Sequence, residues 1–280
     1  MKRLLLPGDL AGVRRHLLDR ENSFHILRVL RLARGSTIEA MDDAGNRFSA
    51  TLAGVKAGRA LFDLAAKIPG PADSGPVEPV AGRSLAGERA ELPRDRPPRI
   101  ALVQGLPKGQ KMDLIIRQAV EAGVELILPL QTRYSVVREL GKEETARGGS
   151  RRDRILKEAL QQSGSLVRSR LGPTSSVENL GARLIDEGFA PETSLYLMFH
   201  ELDIAKLSLH EYCAGGPASV VILVGPEGGF SPEETRSFLD LGFKATHIPG
   251  SILRTETAAL FALAAVKTIL MEKNVWILSK

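Results

Sequence analysis

Two stretches near the end of the chain combine residue types that can do chemistry. Gly225-Pro226-Glu227-Gly228-Gly229 follows the most apolar run of the sequence, Val220 to Val224. Three glycines let a backbone turn sharply and let a ligand approach it closely. The spacing is neither a dinucleotide fingerprint nor a Walker A loop, and no Lys-Ser/Thr pair is present. Glu227 inside the loop disfavours a bound phosphate. Backbone N–H and C=O groups there can hold an uncharged adenine and ribose, and Glu227 suits a positive group such as a sulfonium. A tight strand-to-helix turn without a ligand accounts for the loop equally well.

The second stretch is Ile252-Leu253-Arg254-Thr255-Glu256-Thr257-Ala258, just before an apolar run from Ala258 to Met271. Thr255 can cap a helix there, and Glu256 then suits its positive N-terminus. Arg254 is expected between a buried strand and a buried helix, where an unpaired guanidinium is costly. A phosphate, a carboxylate or a substrate base would satisfy it. Glu256 and Glu227 are the carboxylates available to accept a proton, with Glu256 preferred because Arg254 lies beside it.

The usual nucleophile and metal patterns are missing. Gln162-Ser163-Gly164-Ser165 lacks the first glycine of a nucleophile elbow. The five histidines, His16, His25, His200, His210 and His247, have no metal-ligand spacing, so no metal is expected. His25 lies near Arg28 and Arg31 and can face RNA, although a packed histidine is the commoner outcome.

The elements that must position these residues alternate between strand and helix. Ile100–Val103, Leu126–Pro129, Leu195–Phe199, Val220–Val224 and Ala245–Ile248 read as strands. Met112–Ala122, Arg151–Ser163 and Ala258–Met271 read as helices, the first stopped by Gly123. Ser231-Pro232-Glu233-Glu234 is a strong helix start, with a Ser cap, Pro at the first position and Glu three residues after the cap. This is the signature of an α/β domain with a mainly parallel sheet over residues 99–280. Ligands of such sheets bind beyond the carboxyl ends of the strands. That rule selects His200-Glu201 after Phe199, the glycine loop after Val224, and Pro249 to Ala258 after Ile248.

Residues 1–68 read as a smaller β-rich domain. Thr37–Met41 and Arg47–Leu52 roughly alternate around the turn-rich Asp42–Asn46, a third strand runs from Arg59 to Ile68, and Ser23–Leu32 has a short helical pattern. Residues 69–98 hold 7 Pro and 4 Gly but only four residues from Leu, Ile, Val and Phe, so they read as a linker or insertion. Of 38 Lys and Arg against 33 Asp and Glu, residues 1–70 hold 12 and 7. The whole positive excess therefore sits in the first quarter of the chain. It fits a polyanion-binding module on a neutral body, or a slightly basic surface without a partner. One cysteine, Cys213, permits no internal disulfide and suits a reducing cytoplasm. Pro7-Gly8-Asp9 interrupts the early leucines too soon for a membrane span or signal peptide, and no membrane association is expected.

Taken together, the sequence resembles the 16S ribosomal RNA uridine-N3 methyltransferases of the SPOUT class. The likeness runs through Phe24 to Arg31, Pro107 to Asp113, Ala119 to Val124, Gln162-Ser163-Gly164, Leu223 to Phe230 and Ile252 to Ala258, in shared order and spacing. It implies a PUA-like, β-barrel-type N-terminal domain for RNA and a C-terminal α/β domain with a deep trefoil knot. It implies S-adenosylmethionine as cofactor, held by Phe199, His200, Glu201, Val224, Gly225 to Gly229, Ile248, Ile252, Leu253, Thr257 and Ala258. It also implies a homodimer acting in the cytoplasm on 16S rRNA of the small ribosomal subunit. Arg254 and Glu256 are then the expected catalytic pair, and Arg3, His25, Arg28, Arg31, Lys108 and Lys111 the expected RNA contacts. The chain departs from the family's Leu-Gly-x-Arg run, having Ile248-Pro249-Gly250-Ser251 instead. Two other readings stay open: a non-catalytic RNA-binding assembly factor, and a SPOUT enzyme acting on a ribose 2′-hydroxyl of another RNA.

Overall fold

The computed structural model describes residues 3–66, 98–136, 151–165 and 167–272. Residues 69–97 of the linker expected at 69–98 lie outside them, as do the Arg3 and His25 side chains. The chain divides into two compact units, residues 1–96 with 160–166, and residues 97–159 with 167–280. Each is described by itself.

The first unit carries a five-stranded sheet. Its strands are β1 (Arg3–Leu6), β2 (Arg15–Leu17), β3 (Thr37–Asp42), β4 (Arg47–Lys56) and β5 (Arg59–Ala66), in the order β1-β3-β4-β5-β2. Alternation sends Phe48, Ala50 and Leu52 of β4 and Ala60, Phe62 and Leu64 of β5 into one core with Leu4, Leu6, Leu18 and Ile26. The loop between β3 and β4 is organised by buried Asp42, which accepts hydrogen bonds from the backbones of Leu10, Ala44 and Asn46. The helix expected over 23–32 begins earlier and ends sooner. It is α1 (Arg20–Phe24), followed by a π-type turn at His25–Val29. Asp19 accepts from the Asn22 N–H at 2.8 Å and so starts the helix upstream of the apolar pattern. Ser23 is fully buried, and its hydroxyl accepts from the Ala60 N–H.

The second unit is built on a parallel sheet. Its strands are β6 (Arg99–Gly105), β7 (Leu126–Gln131), β8 (Arg170–Leu171), β9 (Ser175–Ser176), β10 (Ser194–Phe199), β11 (Ser219–Val224) and β12 (Lys244–Thr246). The order is β12-β10-β11-β6-β7-β8, with β9 also on β7. Every pairing is parallel. β6 and β11 are central, which is why both read as unbroken apolar runs. The outer partner of β7 is split in two. β8 pairs with Leu126 and Ile127, and β9 with Leu130 and Gln131. The gap falls beside Pro129, which has no N–H to donate. Two-residue strands leave no pattern to read, so β8 and β9 were not legible in the sequence.

The helices are α2 (Lys111–Glu121), α3 (Arg151–Ser163), α4 (Leu180–Asp186), α5 (Leu209–Cys213), α6 (Pro232–Asp240) and α7 (Thr255–Glu272). α6 has the expected start: Ser231 and Glu234 form a reciprocal capping box, with Pro232 in the first turn. β12 ends at Thr246, short of the expected Ile248, and α7 begins at Thr255, three residues early. α7 packs along α2, and its Lys267 ammonium donates to the Ala122 carbonyl at 2.5 Å. Among the described residues, no helix is long and apolar enough to cross a membrane.

Candidate active site

The carboxyl ends of β6, β10, β11 and β12 lie side by side, because these strands are parallel neighbours. The glycine loop leaves the central β11. Its Gly229 N–H returns to the Pro226 carbonyl at 3.0 Å, with Gly229 at φ +67°. A side chain at that φ is strained, and a Cβ there would also stand 2.7 Å from a carboxylate oxygen of Glu201. The loop therefore approaches the segment after β10 as closely as glycine permits. On its other side, a Cβ on Gly105 at the end of β6 would stand 2.4 Å from Pro226 Cδ. The loop is thus packed against the end of β6 on one side and against Glu201, after β10, on the other.

A buried amide joins this loop to the last helix. Gln104 is fully buried at the end of β6. Its Nε2 donates to the Thr255 hydroxyl at 2.9 Å and to the Gly225 carbonyl at 3.3 Å. The Thr255 hydroxyl donates to the same carbonyl at 2.6 Å. Thr255 does not cap α7 from outside, as the sequence suggests. It is the first helical residue, and its hydroxyl fastens the helix to the loop. Replacing it with valine removes two of these bonds and leaves the Gly225 carbonyl only the longer one from Gln104. We expect a loss of about 1–3 kcal/mol, to be measured by denaturant unfolding. A Thr255→Val protein as stable as the parent would mean that this link is not needed.

The charged groups gather at the start of α2. The Lys111 ammonium lies 2.8 Å from Glu227 and 3.3 Å from Glu256. The Lys108 backbone N–H donates to both Glu227 oxygens at 3.2 Å. Burial pushes the Glu227 carboxyl up, but hydrogen bonds from Lys111 and from backbone N–H groups outweigh it and hold the group below the ordinary value. Bonding to Glu227 in turn raises the Lys111 ammonium. A carboxylate held down in this way is a weaker base than an ordinary one. Lys111, expected to contact RNA, has its charge compensated by these carboxylates. Lys108, Arg28 and Arg31 are exposed, as RNA contacts must be.

Arg254 departs from expectation. Residues 249–254 run over the surface, and Arg254 is exposed, without a side-chain hydrogen bond or ion pair to any described residue. Its need for a partner therefore does not come from burial. Ile252 is 87 % exposed, and Leu253 and Thr257 are also exposed. His200 is a packed residue whose Nδ1 accepts from the Leu202 N–H at 3.0 Å. Phe199 is half-buried and Val224 buried at the ends of β10 and β11, and Ile248 is half-buried two residues past β12. No group of three or more His, Cys, Asp or Glu among the described residues could hold a metal ion. Gln104 escaped the sequence reading, although a polar amide closing a buried apolar strand is a signal that could have found it.

These features agree with what similar proteins are. Residues 94–267 match the family described as RNA methyltransferase domain. The chain is 31 % identical over 186 residues to ribosomal RNA small subunit methyltransferase E of Mycobacterium bovis, covering 66 % of this chain and 68 % of that one. It is 28 % identical to the protein of the same name from Synechocystis, over 88 % of this chain and 70 % of that one. The crystal structure of ribosomal RNA small subunit methyltransferase E from Neisseria gonorrhoeae bound to S-adenosyl methionine superposes with a TM-score of 0.68 at 26 % identity, covering 96 % of this chain and 98 % of that chain. The chain therefore belongs to the RNA methyltransferase family of which the small subunit methyltransferases E are members.

Proposed function

We propose that this protein transfers the methyl group of S-adenosylmethionine to N3 of a uridine in 16S rRNA of the small ribosomal subunit. The observation that carries the reading is the glycine cradle beside Lys111, Glu227 and Glu256. It offers close backbone approach for an uncharged nucleoside and excess negative charge for a sulfonium. A Cβ at Gly105 would press on Pro226 of the loop and one at Gly229 on the Glu201 carboxylate, so both glycines fix where the loop lies. The residues present thus fit the cofactor. Phe199 to Glu201, Val224 to Gly229, Ile248, Ile252, Leu253, Thr257 and Ala258 would hold it. When bound, it supplies an electrophilic methyl on a positive sulfur.

The protein's own part is to orient the uracil and to move one proton. N3 carries a proton at neutral pH, and that proton must leave as N3 forms its bond to carbon. Glu256 accepts it, while Lys111 keeps Glu227 ionised and in place. Arg254, exposed and unpaired beside Glu256, polarises a uracil carbonyl and stabilises the charge that develops there. In-line placement of N3 supplies much of the remaining rate.

The remaining parts of the reading follow the resemblance: a PUA-like first unit that carries RNA, a trefoil knot in the second, a homodimer, and work in the cytoplasm. Arg3, Arg28, Arg31 and Lys108 are the phosphate contacts, with His25 beside them. Four contacts predict that affinity for RNA falls with salt at a log–log slope of about −3. An affinity indifferent to salt in a filter-binding titration would remove these four from the interface. The decisive experiment incubates the protein with methyl-labelled S-adenosylmethionine and small subunits from cells lacking the enzyme. Label at N3 of a uridine is expected. Label on a ribose would make it a 2′-hydroxyl enzyme, and absence of both label and cofactor binding would make it a non-catalytic RNA-binding factor.

A further inference from the structure

We propose that Tyr134 and the cleft beside it receive the target nucleotide, with the phenol ring stacking on its base. The proposal rests on the reading that the substrate is RNA. It adds a stacking face for the base to the polar groups, Arg254 and Glu256, already proposed to act on it.

The turn after β7 is unusually well fastened for a surface loop. Thr132 and Ser135 are buried, and their hydroxyls bond to each other at 2.9 Å. The Ser135 N–H returns to the Thr132 carbonyl, and the Thr132 N–H donates to the Ser135 hydroxyl. The Arg133 N–H donates to Glu234 at 2.7 Å, which ties the turn to the first turn of α6. The one large apolar side chain inside this fastened turn is Tyr134, and its side is open: the residue is 44 % exposed. Fixed backbone and an exposed ring cost less ordering entropy on binding than a mobile aromatic would.

The ring is also in the right place. A Cβ on Gly228 would stand 2.8 Å from Tyr134 Cβ and 3.3 Å from its Cγ. Tyr134 therefore rests on the glycine next to Glu227, in the loop proposed to hold the cofactor. Its sequence neighbours Gln131, Thr132, Arg133 and Ser135 line a cleft of about 450 Å³ in the same turn. That volume falls in the range of small-ligand sites and admits a nucleoside. The Thr132 and Ser135 hydroxyls serve each other, so it is the exposed Arg133 guanidinium, bonded to Glu233 through Nη1, that can read the edge of a splayed-out base while an aromatic face holds its plane. Aromatic residues make up only 5 % of the chain, so an exposed tyrosine at this position is not one of many.

Two measurements test this. In steady-state kinetics, Tyr134→Ala should raise KM for the small subunit by about ten- to a hundredfold. It should leave kcat within a few-fold and S-adenosylmethionine affinity unchanged, and Tyr134→Phe should restore the parent KM. A KM unmoved by Tyr134→Ala overturns the proposal, and so does a defect confined to cofactor affinity, which would mean that Tyr134 only supports Gly228. The second measurement needs no turnover. Tyr134→Trp is made in a Trp276→Phe background, which removes the sole native tryptophan. A uridine-containing oligoribonucleotide should quench the new indole's fluorescence, and no quenching at saturating oligonucleotide overturns stacking. Should the parent protein fail to methylate at all, quenching still decides the proposal while the methyl-transfer reading falls alone.

Discussion

Gly105→Ala should cost this protein its cofactor site. The added carbon would lie 2.4 Å from Pro226 Cδ and 2.6 Å from the Pro226 nitrogen. One of these is a proline ring and the other is backbone, so neither can swing aside as a flexible side chain would. Either β6 or the Gly225–Gly229 loop must shift. The loop is also pinned through the Gly225 carbonyl by Gln104 and Thr255. Overpacking of this kind costs about 3 kcal/mol or more in stability. Where the chain still folds, a displaced loop of about 1 Å lowers turnover by about a hundredfold. Calorimetric titration with S-adenosylmethionine, run beside a thermal melt, separates the two effects. A Gly105→Ala protein that melts and binds like the parent would show that the close approach of β6 to the loop does not shape the site.

Arg254→Ala should act on the reaction and spare the fold. The side chain is exposed and has no partner among the described residues, so its removal leaves no buried group unsatisfied. Surface truncations of this sort change stability by less than about 0.5 kcal/mol. If Arg254 steadies the negative charge that develops on uracil, methyl transfer should fall by about 10²–10³. Single-turnover rates with labelled cofactor measure this directly, and cofactor affinity should stay close to the parent value. Arg254→Lys keeps the charge without the planar fork and should recover only part of the rate. A variant that methylates at the parent rate would leave Arg254 with no catalytic part.

What could be read from the sequence was local. Ser231-Pro232-Glu233-Glu234 gave α6 its start because capping is decided within four residues. The apolar runs of β6 and β11 were visible because central parallel strands bury both faces. The glycine loop was visible as a tight turn. What escaped depends on partners brought together by topology. Lys111 reads as a basic residue before a helix, and only the fold sets it against Glu227 and Glu256. Arg254 was expected inside because it falls between a buried strand and a buried helix. The segment that joins them runs over the surface, with Ile252 and Leu253 exposed as well. Thr255 had the right residue type for a cap, but the Gly225 carbonyl competes for its hydroxyl more effectively than its own helix does. Tyr134 carried no pattern at all, since nothing in the order of residues says that it rests on Gly228.

The link between Gln104, Gly225 and Thr255 also has a bearing on how the protein is born. Its members are separated by 121 and 151 residues. During synthesis the amino-terminal strands emerge long before α7, so β6 reaches solvent with its buried amide unmatched. The binding site cannot exist as a partial structure that matures by small adjustments. It closes when the final helix docks, late in folding and at the cost of bringing distant segments together. A ligand that bridges the loop and the first turn of that helix would then favour the docked state by mass action. For this chain, the supply of cofactor is in that sense also a supply of folded protein.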